Sequence, residues 1–389
     1  MQKNKSTTRI IYIITRIDRG GSSENIVDIC NKLYDDDFDL VLIYGGETLR
    51  NFKFKSYYIK DMKREISFKN EFKALVKIFR MLKEEKPDIV HTHTSKSGIL
   101  GRWASFIYKI FYNRKLKIIH TPHGHIFYGY FGFIKTKFFI FLEILTSFIT
   151  NRFIALTENE KKENIESGVG NEKKWVVIPS GIDYKISLSG KDIRKEFNIR
   201  PDEIVIGTAA RLEPVKGIEY FVRSYKYLRN ILNIKGIRPK FCYLVVGDGS
   251  EFGYLKKISK EDGTINNIIF SGWRDDVYDL INTMDIYVQP SLNEGMGRSV
   301  VMAELLSKPI IASSVCGLKD LIIDGYNGYL AEPKNSLELA MKIYLLLSDK
   351  NKIQDYGRNS FEFVNRKVDG FKFYSFDREY FLLKKLYQS

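Results

Sequence analysis

Short runs of aliphatic and β-branched residues alternate with stretches of helical periodicity, and the chain does this twice over. The first series is Ile10–Ile14, Leu40–Tyr44, Asp88–His91, Lys117–His120, Phe153–Leu156 and Trp175–Ile178. The second is Ile204–Thr208, Tyr243–Val246, Asn267–Phe270, Ile286–Val288, Pro309–Ala312 and Gly328–Leu330. Strands spaced by helices build βαβ units, so the fold class is α/β with two doubly wound, Rossmann-like parallel sheets. Between the series, Pro179-Ser-Gly-Ile-Asp183 and the polar Ser187–Gly190 carry turn chemistry. The expected domains are therefore 1–183 and 184–360. The aromatic and basic segment 361–389 either crosses back as a helix onto the first domain or packs on the second. Open α/β sheets bind ligands beyond the carboxyl ends of their strands, so two facing sheets would enclose a cleft.

Charge narrows the partners. Of a net +15, the first 190 residues carry 32 Lys and Arg against 21 Asp and Glu, a net of +11. Anionic partners follow: nucleotide phosphates, nucleic acid or an acidic membrane surface. Cys30, Cys242 and Cys316 form no C-x-x-C, which argues against a zinc site or disulfide framework and fits a reducing cytoplasm. The first apolar run, Ile10–Ile14, is too short for a secretory leader and reads as a strand.

The most biased region is 101–152. Eight Lys and Arg there face one acidic residue, Glu143, and fourteen aromatic residues accompany them. The apolar stretch Phe138–Ile149 is shorter than the ~20 residues a membrane helix needs, so the segment can lie on a bilayer but not span it. Arg50, Lys53, Lys55, Lys60, Lys63, Arg64, Lys69, Lys73, Lys77 and Arg80, against Asp61, Glu65 and Glu71, extend the cationic surface. The competing reading is a set of core aromatics beside solvated charge.

Two loops in the second half carry candidate chemistry. Arg211 and Lys216 follow the strand Ile204–Thr208, where Pro214 and Gly217 shape the turn and both cations can meet a diphosphate. Asn293-Glu-Gly-Met-Gly297 follows the strand Ile286–Val288 and leads into a helix at Arg298. Its glycines allow close backbone approach, and the helix N-terminus offers amides to an anion. Glu294 beside such a site suits sugar hydroxyls.

These strings, with Val246-Gly-Asp-Gly249, Phe270-Ser-Gly-Trp-Arg-Asp-Asp-Val277 and Val177-Ile-Pro-Ser-Gly-Ile-Asp183, resemble the retaining glycosyltransferases of family 4, which have a GT-B fold. His91-Thr-His-Thr-Ser-Lys-Ser-Gly98 and His120-Thr-Pro-His-Gly-His125 are similar to its capsule and O-antigen branch. The resemblance implies that Arg211 and Lys216 hold the donor diphosphate, that Glu294 binds donor-sugar hydroxyls, and that the Met296 and Gly297 amides touch the distal phosphate. It sets His123 against the transferred sugar and the pair Gly20 and Gly21 close to donor and acceptor. Gly247, Trp273, Arg274, Gly295 and Arg298 join the implied donor-binding set. The implied donor is a nucleotide sugar, with UDP as the expected nucleotide. The implied acceptor is a polyprenyl-diphosphate-linked saccharide, and the enzyme would sit peripherally on the inner face of the cytoplasmic membrane. Neither a cofactor nor a metal is expected.

One position departs from the pattern. The family's second acidic residue, eight places after Glu294, is here Met302. Glu304 lies two residues further, on the opposite side of a helix, and cannot stand in for it. Other features keep plainer readings. Asp35, Asp37 and Asp39 match a D-x-D string but precede a strand, which makes them a turn. The strand-ending His91 and His120 should point into the sheet, leaving His93, His123 and His125 nearest the cleft. Ser95–Gly98 could bind phosphate or cap a helix. Three rivals to the transferase remain: a GT-B nucleotide-sugar epimerase, a non-catalytic accessory subunit, and a nucleic-acid protein, the last disfavoured because no RNA-binding motif is present.

Overall fold

The computed structural model describes residues 8–389 except 18–19, 37, 47–50, 64–66, 126 and 131. Asp37, Arg50, Arg64 and Glu65, named above, and Phe131, one of the fourteen aromatic residues of 101–152, thus lie outside the described residues. The chain divides into two compact units, Met1–Gly181 with Phe376–Ser389, and Ile182–Ser375.

The first unit is built on seven parallel strands: β1 (Arg9–Ile14), β2 (Asp39–Tyr44), β3 (Lys55–Tyr58), β4 (Ile89–His93), β5 (Lys117–Thr121), β6 (Arg152–Ala155) and β7 (Trp175–Val177). Their order is β3-β2-β1-β4-β5-β6-β7, with the direction of winding reversing between β1 and β4. The central strands are buried on both faces, which is why they read as unbroken apolar runs. Helices α1 (Gly21–Asp35), α2 (Phe68–Glu85), α3 (Ser95–Phe111), α4 (Phe133–Phe148) and α5 (Glu158–Glu166) complete it. The C-terminal helix Phe376–Gln388 belongs here too. Its Tyr380, Leu383 and Tyr387 join the core of Ile10, Tyr12, Ile26 and Leu42. Glu379 accepts from the Gly181 amide and the Asn25 side chain, both at 2.7 Å. The preceding helix, Lys350–Asn365, and the residues to Ser375 stay with the second unit.

The second unit has six parallel strands: β8 (Ile204–Ala209), β9 (Phe241–Val246), β10 (Ile268–Gly272), β11 (Ile286–Gln289), β12 (Ile310–Ser313) and β13 (Gly328–Ala331). The order β10-β9-β8-β11-β12-β13 reverses between β8 and β11. In both units this is the doubly wound arrangement expected from the sequence, and each reversal opens a crevice at the carboxyl ends of two adjacent strands.

Strand β3 has no counterpart among the sequence-based strands. It is an edge strand with no buried residue, so it needs no apolar alternation. A second difference concerns α4, whose polarity is inverted. Thr136, Glu143, Thr146 and Ser147 are buried, whereas Phe133, Ile134, Phe138, Phe141, Leu145 and Phe148 are exposed. Arg102 of α3 explains the inward face: it is fully buried, and its Nη2 lies 2.5 Å from Glu143 Oε2 while its Nε donates to Gly98 O. The Trp103 indole donates to Thr146 Oγ1 at 3.1 Å. Among the described residues, no helix is long and apolar enough to cross a membrane.

Candidate active site

The best-formed polar cluster of the second unit lies where its sheet reverses. Strand β8 delivers Arg211 and Lys216, and β11 delivers the loop holding Glu294. The two loops touch because of Gly217. Its φ is 61°, a left-handed value that side chains disfavour, and a Cβ there would stand 2.2 Å from Pro290 O. The Leu292 amide donates to Val215 O at 2.8 Å and closes the contact.

That approach sets Lys216 Nζ 2.6 Å from Glu294 Oε2, with both side chains less than one-fifth exposed. The same oxygen accepts from Ser291 Oγ at 3.1 Å and lies 3.5 Å from Gln289 Nε2. Gln289 is in turn held: its Nε2 donates to Ser291 Oγ, and its Oε1 accepts from Tyr287 OH and Ser299 Oγ. Gln289 and Ser291 are buried, and sequence reasoning did not single them out. Their signal was a polar Gln-Pro-Ser string at the end of an apolar strand.

Gly295, Met296 and Gly297 are buried and lead into the helix Arg298–Leu305. Gly297 caps it at φ 92°, with the Val300 and Val301 amides donating to Gly297 O at 2.9 and 3.2 Å, and a helix N-terminus is a place where an anion can bind. The Gly317 amide donates to Glu294 O at 3.0 Å and ties the loop to the end of β12. Arg211, on the first of these loops, and Arg298, the first residue of the helix, are both half-buried. Gly247 serves the scaffold: at φ 130°, its Cβ would lie 2.0 Å from Ala210 O, so glycine lets the ends of β8 and β9 close up.

Trp273 and Arg274 stand elsewhere, after the edge strand β10. The Arg274 guanidinium grips Asp276 at 2.8 and 2.7 Å and also pairs with Glu196, which holds Asp276 well below the usual carboxylate range. Trp273 donates to Asp275 at 3.3 Å. Their carboxylate partners Asp275, Asp276 and Glu196 lie on segments other than the two loops that meet at Lys216 and Glu294.

Met302 is half-buried on the helix that Gly297 caps. Glu304 is fully buried, with Oε1 accepting from Asn327 Nδ2 at 3.0 Å and no partner for Oε2 among the described residues. Burial pushes its carboxyl well above the usual range. It faces the interior, as its helix position requires.

In the first unit, Gly20 caps α1 with ordinary extended backbone (φ −112°), and Gly21 is exposed at the helix start. The histidines differ from expectation. His93 and His125 are buried along with His91 and His120, and only His123 is partly exposed. His125 Nε2 lies 2.6 Å from Glu163 Oε2, and His93 Nδ1 lies 3.0 Å from His123 Nε2. His123 has φ 58°, a strained value for a side chain with a Cβ. Fully buried Glu160 holds this loop, accepting from the Gly124 and Leu156 amides at 2.6 Å each. Ser97, at the start of α3, is buried and directs its hydroxyl to His93 O, and Lys96 pairs with Glu71 at 2.7 Å. Of the aspartate string, Asp36 and Asp39 are taken by Lys384 with Tyr380 and by Arg9 respectively.

Two family models together span nearly the whole chain: Glycosyltransferase Family 4 over residues 19–185 and Glycosyl transferases group 1 over residues 189–363. The chain belongs to glycosyltransferase family 4. This family 4 enzyme is 28% identical over 328 residues to the Escherichia coli UDP-Gal:alpha-D-GlcNAc-diphosphoundecaprenol alpha-1,3-galactosyltransferase, covering 82% of this chain and 80% of that one. It is 27% identical over 338 residues to the capsular polysaccharide biosynthesis glycosyltransferase CapM of Staphylococcus aureus, with 83% of each covered. Among solved structures, HepE of Anabaena in complex with UDP and glucose aligns at TM-score 0.79 and 20% identity, covering 98% of this chain and 99% of that one. Sucrose-phosphate synthase of Thermosynechococcus elongatus aligns at TM-score 0.80 and 18% identity, with 98% of each covered. The family 4 transferase therefore has the GT-B fold.

Proposed function

We propose that this family 4 transferase moves a hexosyl or N-acetylhexosaminyl group, with retention of configuration and without a metal, from a UDP-sugar to a polyprenyl-diphosphate-linked saccharide. The product would be an intermediate of capsule or O-antigen assembly. The observation that carries the reading is the Lys216–Glu294 pair at the reversal of the second sheet. A nucleotide sugar brings its own leaving group, so catalysis must stabilise charge growing on the β-phosphate. Lys216 and Arg211 supply cations, and the amides of Met296 and Gly297 add donors. Glu294, held by Ser291 and Gln289, accepts from sugar hydroxyls once Lys216 turns to phosphate. The departing phosphate takes the acceptor's proton, so no carboxylate dyad is needed. His123 contacts the transferred sugar. One named relative, acting on alpha-D-GlcNAc-diphosphoundecaprenol, supports the acceptor class, and the other, a capsular polysaccharide biosynthesis glycosyltransferase, supports the pathway class.

Helix α4 supports a membrane-surface location. Exposed Phe and Ile at helical spacing, alongside exposed Lys135 and Lys137, form an apolar stripe with cationic flanks. On α2, exposed Phe68, Lys69, Phe72 and Lys73 repeat the combination. Such faces suit an anionic leaflet, where each basic residue near the surface contributes ~1 kcal/mol. The test is transfer of radiolabelled sugar from UDP-sugars to a lipid-linked acceptor pool by wild type and by Lys216→Ala. Label in the lipid phase that depends on Lys216 is the expected result. Sugar epimerisation without transfer would favour the epimerase instead.

A further inference from the structure

His93 is the last residue of β4 and is buried, with its ring stacked on Tyr12 (centroids 4.9 Å apart, 22° between planes) and His91 4.1 Å away. Aromatic rings thus pack against the imidazole. Its Nδ1 points at His123 Nε2, 3.0 Å away, while its Nε2 has no partner among the described residues. Burial first, then the neighbouring His91, His123 and His120, holds this imidazole well below its usual range, so it is neutral and carries one N–H.

A neutral imidazole has one donor and one acceptor nitrogen, so the bond between the two rings can run either way. Buried N–H groups without partners are rarer than unpaired acceptors. The arrangement that avoids an orphaned N–H puts the proton of His93 on Nδ1. His93 then donates to His123 Nε2, which must be the acceptor, and the neutral His123 carries its own proton on Nδ1. We propose that His93 is a positioning residue that fixes the tautomer and ring orientation of His123, so that His123 offers Nδ1–H, and not Nε2–H, to a substrate oxygen. This rests on the reading that His123 contacts the transferred sugar. The left-handed backbone at His123 and the strap from Glu160 fit a side chain held in one pose.

The test has two arms. Histidine labelled with ¹⁵N, followed through long-range proton–nitrogen couplings in the intact protein, reports the tautomer of each ring, and His123→Gln and His93→Asn assign the signals. A proton on Nδ1 of His123 is the expected result, and a proton on Nε2 overturns the proposal. The second arm compares UDP release from the preferred UDP-sugar by His93→Phe and His93→Asn. Phe keeps the stacked ring but not the donor, whereas Asn keeps a donor near Nδ1 but not the ring. Positioning predicts that kcat/KM falls roughly three- to tenfold in His93→Phe, the worth of one neutral hydrogen bond, and recovers in His93→Asn. A purely packing role predicts the reverse order and would overturn the proposal. Near-native turnover by His123→Ala, with the tautomer as expected, would remove the substrate contact while leaving the coupling between the rings in place.

Discussion

Arg102 of α3 and Glu143 of α4 meet at 2.5 Å with the arginine wholly buried, and this one pair explains why α4 turns its polar side inward. The guanidinium is also held by Gly98 O and lies 3.4 Å from Thr150 Oγ1. Removing one partner strands the other charge in the interior, which typically costs ~3–5 kcal/mol. Glu143→Ala should therefore lower the melting temperature by many degrees in calorimetry. Paired replacement of Arg102 and Glu143 by apolar residues should recover much of that loss.

The outer side of the same helix should behave oppositely. Replacing Phe133, Phe138, Phe141 and Phe148 by Ser removes exposed apolar area, so folding stability should change little. Flotation with anionic vesicles at moderate salt should drop sharply in this variant. Equal flotation of variant and wild type would take α4 out of membrane binding.

Glu304 gives a pH signature. Burial raises its carboxyl, so at pH values between its unfolded and folded pKa the native state holds a proton that the unfolded state has released. Native stability then falls as pH rises through that window, the reverse of an ion-paired carboxylate. Glu304→Gln, a neutral isostere, should remove this slope. Its melting temperature relative to wild type should be higher at pH 8 than at pH 5, as read by thermal scans across that range.

Met302 stands where the family pattern has its second acid. Met302→Glu should tighten UDP binding, about ten- to a hundredfold if a charge-assisted hydrogen bond to ribose is regained. Calorimetric titration with UDP checks this.

Much of the architecture was legible because buried parallel strands must be apolar on both faces, and Ile10–Ile14 or Ile286–Val288 can hardly be read otherwise. β3 was not, since an edge strand with no buried residue leaves no such trace. The inversion of α4 was hidden for a related reason. Phe138–Ile149 is apolar nearly throughout, and only the buried Arg102 decides which side faces in. At the site, Lys216 and Glu294 came from loop position and glycine spacing, whereas Gln289 and Ser291 act through contacts between neighbours that spacing does not encode. The partners of Arg274 were not legible either, because a cation in a loop after a strand carries no mark of the carboxylates, Asp276 and Glu196, that pair with it. The burial of His93 was missed because the strand extends two residues past His91.

The central claim is that the loops after β8 and β11 bind the nucleotide sugar around Lys216 and Glu294. Hydrogen exchange of the intact protein with and without saturating UDP tests it most directly. The account predicts slowed exchange over residues 210–218 and 293–301 in wild type, and its loss at the same UDP concentration in Lys216→Ala. Protection confined to other segments, or unchanged protection in Lys216→Ala, would contradict it.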